Sequence, residues 1–165
     1  MKIGIVGSGN MGGALGKIFA NNDHQVVFSF ARDQGKLKET VKNAGANAAS
    51  GSPAEAVAFG DVVLWAVPRW SWNEAFSAAG SLAGKIVIDC SNPFDKAGEL
   101  AIGLTTSGGE EVAARAAGAV IVKAFNTVGA NILASKSRDF DGEKPVMFFC
   151  GDALNAKETV KPLIE

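Results

Sequence analysis

The 165-residue chain has no tyrosine, one histidine and two cysteines. Each shortage removes a class of chemistry. Without tyrosine, the Tyr-x-x-x-Lys device with which short-chain dehydrogenases move a substrate proton is excluded. With His24 alone, most His-based metal and nucleophile chemistry is excluded too. Cys90 and Cys150 form no C-x-x-C and no metal-ligand spacing. No metal site is expected, and two lone thiols fit a reducing cytoplasm. No run of like charge reaches five residues, and sixteen basic against seventeen acidic side chains leave a net charge of −1. Neither nucleic acid nor an anionic membrane is therefore expected as a partner. Apolar runs stop at five to seven residues, as in Val62 to Val67, short of the roughly 20 that a membrane-spanning helix needs. A strand pattern already opens at Lys2, so no signal peptide is expected.

What is there is a regular alternation. Strand patterns at Lys2–Val6, Gln25–Phe30, Asp61–Ala66, Lys85–Asp89 and Val120–Lys123 are joined by a short one at Ala46–Ala48 and another at Pro145–Cys150. Helical patterns cover Met11–Asn21, Asp33–Asn43, Ser52–Ala58, Ser71–Ala79, Ser107–Ala116 and Asp152–Glu165. Strands alternating with helices imply βαβ units: one doubly wound α/β domain over residues 1–165, its sheet mostly parallel and covered on both faces. Ser52-Pro-Ala-Glu55, Ser71-Trp-Asn-Glu74 and Ser107-Gly-Gly-Glu110 each match the capping box that starts a helix.

The first strand runs into Gly7-Ser8-Gly9-Asn10-Met11-Gly12, which is G-x-G-x-x-G. Gly7 permits the tight turn, Gly9 lets a pyrophosphate approach the backbone, and Gly12 lets the helix pack against the sheet. The free amides and positive dipole end of that helix then hold the phosphates. The motif follows a strand and opens a helix within a βαβ unit, the context that identifies a dinucleotide site in the Rossmann fold. About 20 residues on, NAD sites place an acid and NADP sites an Arg. The chain there reads Ser29-Phe-Ala31-Arg32-Asp33-Gln-Gly-Lys36. Arg32 has the fork geometry for a 2′-phosphate and the plane to lie on adenine, and Lys36 adds a second charge one helical turn on. NADP(H) is expected; Asp33, turned inward, would instead serve NAD.

Five stretches in order, MKIGIVGSGNMGGAL, FSFARDQGKL, VVLWAVPRW, IVIDCSNPF and VIVKAFNTVGANIL, resemble the coenzyme F420-dependent NADP oxidoreductase family. The resemblance implies that Ser8, Gly9, Asn10 and Met11 bind pyrophosphate, and that Arg32 and Lys36 hold the 2′-phosphate. The family's Ser in that grip is Ala31 here, with Ser29 the nearest hydroxyl in sequence. It implies that Ala66, Val67 and Pro68 line the nicotinamide ribose. Asn92 and Pro93 would cross beneath the cofactor, and Asn126, Val128 and Ala130 would contact nicotinamide and deazaflavin. The expected activity is hydride transfer between NADPH and a small-molecule redox acceptor, coenzyme F420 or a flavin. No catalytic side chain is assigned, because the ring systems carry that chemistry. A homodimer is implied as well. Family members run further at the C-terminus, so a short extension is expected to be lacking. Two alternatives stand beside this: an NADPH-binding sensor or scaffold without turnover, and a pyrroline-5-carboxylate reductase-like imine reductase, whose start is similar.

Four other features have bland readings. Trp70 and Trp72 pack against a helix or wall a second ring's pocket. Lys123 pairs with a carboxylate. Cys90 is a buried small residue with no base near it. The polar stretch Ser135–Lys144 is a surface loop or a mobile lid.

Overall fold

The computed structural model describes residues 1–165 apart from Leu104, Lys136, Arg138 and Phe140. The lid expectation for Ser135–Lys144 therefore falls partly outside the described residues. Seven strands form one sheet: β1 (Lys2–Val6), β2 (Gln25–Ser29), β3 (Ala48–Ser50), β4 (Val62–Trp65), β5 (Ile86–Asp89), β6 (Val120–Ala124) and β7 (Phe149–Cys150). Their order is β3-β2-β1-β4-β5-β6-β7. All pairings are parallel except that of β7, which runs antiparallel to β6. The strand order turns back beside β1, between β2 and β4, and in such sheets ligands bind in the crevice at the carboxyl ends of the strands there.

Alternate side chains of the strands feed two cores. Ile3, Ile5, Val62, Leu64 and Val122 face one side with Leu15 and Phe19 of α1 (Asn10–Asn21) and Val160 of α7 (Leu154–Ile164). Val6, Val63, Trp65 and Val87 face the other, against Val57 of α3 (Pro53–Phe59), Trp72 and Ala75 of α4 (Trp72–Ala79) and Val112 of α5 (Gly108–Arg115). Each large side chain buried this way contributes about 1.5–3 kcal/mol. Helices α2 (Gln34–Ala44) and α6 (Ala130–Ala134) complete the set.

The alternation read from the sequence is the one observed, with local shifts. The third strand begins at Ala48 rather than Ala46. Gly45 closes α2 at φ 90°, and the Asn47 side chain donates to the Ala20 carbonyl, so pairing with Val26 starts only at Ala48. The strand expected over Pro145–Cys150 is reduced to two residues, which alone pair with Lys123 and Ala124. Helix α6 was not expected. The capping boxes of Ser52 and Ser107 both form. That of Ser71 does not. Ser71 ends a 3-10 turn over Arg69–Ser71, its amide donating to the Pro68 carbonyl, and its hydroxyl is turned elsewhere.

Candidate functional site

The glycine loop leaves β1 by a turn that Gly7 makes at φ 104°, with the Ala66 carbonyl 2.5 Å from where a Cβ would stand. At Gly12 a Cβ would lie 2.0 Å from the Gly7 carbonyl oxygen, so this glycine seats α1 on the sheet. Gly9 is different. Its φ of −78° is open to any residue, and among the described residues nothing lies within 4 Å of an added Cβ. The protein's own packing therefore gives no reason for glycine there, whereas a ligand lying on the loop does. Gly9 caps α1 without a side chain, and the first-turn amides of a helix have no partner inside it.

A cleft of about 380 Å³ opens above this loop, lined by Gly7, Ser8, Gly9 and Asn10, by Ala31, Arg32 and Lys36, and by Ala66, Pro68, Trp70 and Ser71. Phe30 and Asp33 line the cleft as well, and one oxygen of the Asp33 carboxylate is engaged by the helix that follows. It caps α2, accepting from the Gly35 and Lys36 amides at 2.8 and 3.1 Å. Ser29 is fully buried and donates its hydroxyl to the Ile5 carbonyl at 2.7 Å, so it cannot supply the hydroxyl missing at Ala31. The hydroxyl that does reach Arg32 is that of Ser71, which accepts from Nη2 at 3.4 Å. Phe30, between β2 and Arg32, holds a left-handed φ of 55°, unusual for a bulky side chain and the kind of strain that gathers at functional sites.

A second cleft, of about 370 Å³, meets the first at Ala66, Pro68 and Trp70. Met11, Val67, Cys90, Asn92 and Phe94 also line it. The two tryptophans part company here. Trp72 is buried and donates its indole N–H to the Val67 carbonyl, whereas Trp70 is 44% exposed on the cleft wall. Phe94, not singled out in the sequence, is 43% exposed and stands in a loop closed by its bridge to Leu100. No sequence signal marks it, since an isolated Phe after a proline reads equally as packing.

Asn92, on the floor of the second cleft, is held from behind by a distant segment. Asn92 donates its amide to the Asn126 carbonyl at 3.0 Å, and the Asn126 amide donates back to Asn92 Oδ1 at 3.3 Å. Below them Asp89, fully buried, accepts from the Ser91 amide and hydroxyl and from Lys123 Nζ at 2.7 Å. Lys123 Nζ also donates to the Ser91 carbonyl at 2.7 Å. Lys123 is thus a paired lysine. Burial, then the Asp89 charge beside it, pushes the Cys90 thiol well above its ordinary value, so it carries no thiolate for attack.

Not every expected residue reaches the clefts. Val128 is 7% exposed and packs in the core. Pro93 packs on the start of α5, where it would touch a Cβ at Gly108. Ala130 lines neither of these two clefts but a groove along α1 that shares Ser8, Gly9, Asn10 and Lys36 with the first, so it stands at the other side of the glycine loop. After β6 the chain turns at Phe125, at φ 66°, where Asn126 meets Asn92 and Val128 joins the core. His24 lies at the amino ends of the strands beside Met1, away from both clefts. Among the described residues no cluster of metal-ligating side chains occurs, and no helix is long and apolar enough to cross a membrane.

Comparison with known proteins adds four findings. The family described as NADP oxidoreductase, coenzyme F420-dependent, matches residues 2–93. Metalloreductase STEAP3 of Rattus norvegicus is 33% identical over 162 residues, which are 98% of this chain and 31% of that protein. The chain thus spans about a third of that relative's length. A structure described as an F420-dependent NADP-reductase, from Arthrobacter sp. FB24, superposes with a TM-score of 0.86 at 28% identity, covering 99% of this chain and 79% of that one. The Sinorhizobium meliloti protein SMa0349 does so with a TM-score of 0.84 at 29% identity, over the same shares.

Proposed function

The chain belongs to the coenzyme F420-dependent NADP oxidoreductase family, and from that premise we propose that it passes hydride between NADPH and a planar acceptor, a flavin or coenzyme F420. The observation that carries this reading is the junction of the two clefts at Ala66, Pro68 and Trp70. The glycine loop, Arg32 and Lys36 lie on one side of the junction, and Val67, Asn92 and Phe94 on the other. NADPH held by the glycine loop, Arg32 and Lys36 would supply a hydride, and an acceptor ring beside Trp70 and Phe94 would receive it.

The protein's residues bind, orient and exclude water. Gly9 and the amides of α1 would hold the pyrophosphate, and Arg32 and Lys36 would hold the adenosine 2′-phosphate. Ala66 and Pro68 flank the junction, where two rings must come within about 3–3.5 Å for transfer. Trp70 and Phe94 offer flat apolar faces to the acceptor. Asn92, tied to Asn126, keeps the floor in place. Hydride passage between ring systems needs no strong general acid, which fits a cleft whose ionisable groups are Asp95 and Lys96 on the outer loop and the neutral Cys90 thiol.

The likeness to a metalloreductase favours a flavin over coenzyme F420, because flavins also support one-electron chemistry with metals. The test is anaerobic mixing of the NADPH-bound protein with F420, FMN or FAD, each with and without a ferric chelate, while the acceptor's absorbance is followed. Catalytic bleaching of one acceptor is expected. Bound NADPH with no acceptor reduced overturns the reading and leaves an NADPH-binding module without turnover.

A further inference from the structure

The 2′-phosphate grip is one hydroxyl short in the local sequence. Ala31 has none, and that of Ser29 is spent on the Ile5 carbonyl inside the sheet. The structure brings one from 39 residues away. Ser71, in the turn after β4, lines the same cleft as Ala31, Arg32 and Lys36, and its Oγ accepts from Arg32 Nη2.

We infer that Ser71 is a specificity-determining residue for the 2′-phosphate of NADP(H), its hydroxyl donating to a phosphate oxygen that Arg32 and Lys36 also hold. The inference rests on the reading that this cleft binds NADPH. Three observations carry it. First, Ser71 heads a sequence that matches the capping box, yet the box is not made, although Ser52 and Ser107 both make theirs. The hydroxyl is withheld from its own helix and presented to the cleft. Second, the bond from Arg32 uses Ser71 only as an acceptor and is long, near the limit for a hydrogen bond. Among the described residues nothing accepts the Ser71 hydroxyl proton, so one donor remains for an anion. Third, the acids nearby do not compete for Arg32. Asp33, which lines the same cleft, accepts from the α2 amides through Oδ1, and neither it nor Glu74, which lines a small cleft with Arg32 and Ser71, forms an ion pair with Arg32 among the described residues. Phosphate oxygens facing Arg32 would meet a guanidinium fork and a neutral hydroxyl, a pairing that selects for the phosphate over a ribose hydroxyl.

The test uses ADP-ribose with and without a 2′-phosphate as probes, titrated calorimetrically against the wild type, Ser71→Ala, Ser71→Asp, Arg32→Ala and the double variant Arg32→Ala/Ser71→Ala. The Asp variant places a favoured capping residue at the start of α4 and guards against loss of fold. Ser71→Ala is expected to weaken the phosphorylated probe about tenfold or more, the worth of one hydrogen bond to a charged group, and to leave plain ADP-ribose unchanged. Ser71→Asp should weaken the phosphorylated probe further by repulsion. The double variant should bind that probe more weakly than Arg32→Ala alone. If the wild type does not prefer the phosphorylated probe, or Arg32→Ala leaves its preference intact, the NADP reading of the cleft fails and this inference with it. If Arg32→Ala abolishes the preference while both Ser71 variants keep it, the Ser71 inference alone is overturned. If Ser71→Ala has its effect only when Arg32 is present, Ser71 merely positions Arg32 and the donated bond is overturned.

Discussion

Gly7, Gly9 and Gly12 act within six consecutive residues at the end of β1, whereas the floor beneath Asn92 joins segments 34 residues apart. The glycine-loop end is a local device. A turn, a cap and a helix start suffice, and each task falls on a residue the motif already contains. The other end has no motif. Its parts are a buried ion pair, Asp89 with Lys123, and a reciprocal amide pair, Asn92 with Asn126, carried on β5 and β6 and on the loops after them. The difference teaches where each end is vulnerable. Substitutions in the local device should divide cleanly into those that harm folding and those that harm binding. Substitutions in the long-range one should harm folding first.

The largest expected effect is at the long-range end. Lys123→Met strands the fully buried Asp89 carboxylate, and removing one partner of such a pair costs about 3–5 kcal/mol. Urea unfolding should show it; a midpoint unchanged from the wild type would mean that the floor does not depend on the pair. Next comes a contrast inside the glycine loop. Gly12→Ala drives a Cβ into the Gly7 carbonyl and should cost about 1–3 kcal/mol of stability. Gly9→Ala meets no atom of the described residues within 4 Å. Its thermal midpoint should equal that of the wild type, while NADPH binding falls about tenfold or more from the same kind of overlap, now with a ligand. Loss of stability in Gly9→Ala, with binding retained, would erase the distinction between the two glycines.

A smaller contrast concerns the three Ser-x-x-Glu sequences. Ser52→Ala and Ser107→Ala each remove a working cap and should cost about 1 kcal/mol. Ser71→Ala removes none and should cost clearly less in the same melting assay. The smallest effect is on acid stability. The Ser52 backbone and then its side chain hold Glu55 below the usual carboxylate range. The Ser107 side chain, then its backbone, then Thr106 do the same for Glu110. A carboxyl depressed in the folded state adds stability above its unfolded value and loses it as pH falls through the lowered one. Melting in mildly acid solution should therefore flatten in the Ser52 and Ser107 variants; an unaltered acid slope would show that these exposed carboxyls contribute nothing measurable.

Legibility follows the same division. The βαβ alternation, the glycine loop and Arg32 with Lys36 all read directly, because each depends on neighbours a few residues away. Ser71 misled for a reason that can be named. Its spacing to Glu74 satisfies the capping pattern, but the 3-10 turn ahead of it points the hydroxyl across to β2. Ser29 misled for the opposite reason. It is close to Arg32 in sequence, but strand alternation turns it into the sheet. Val128 and Pro93 lie on the segments expected to form the site, yet they serve packing while their neighbours Asn126 and Asn92 carry the polar contacts.

By itself, the sequence determined that a doubly wound sheet carries a dinucleotide loop at the end of β1, since hydrophobic period, caps and glycine spacing are local properties of the chain. Only the tertiary structure decided which hydroxyl faces Arg32, which tryptophan walls the second cleft and which asparagines meet beneath it. Those choices depend on how strand ends and turns aim side chains across distances that spacing along the chain does not encode.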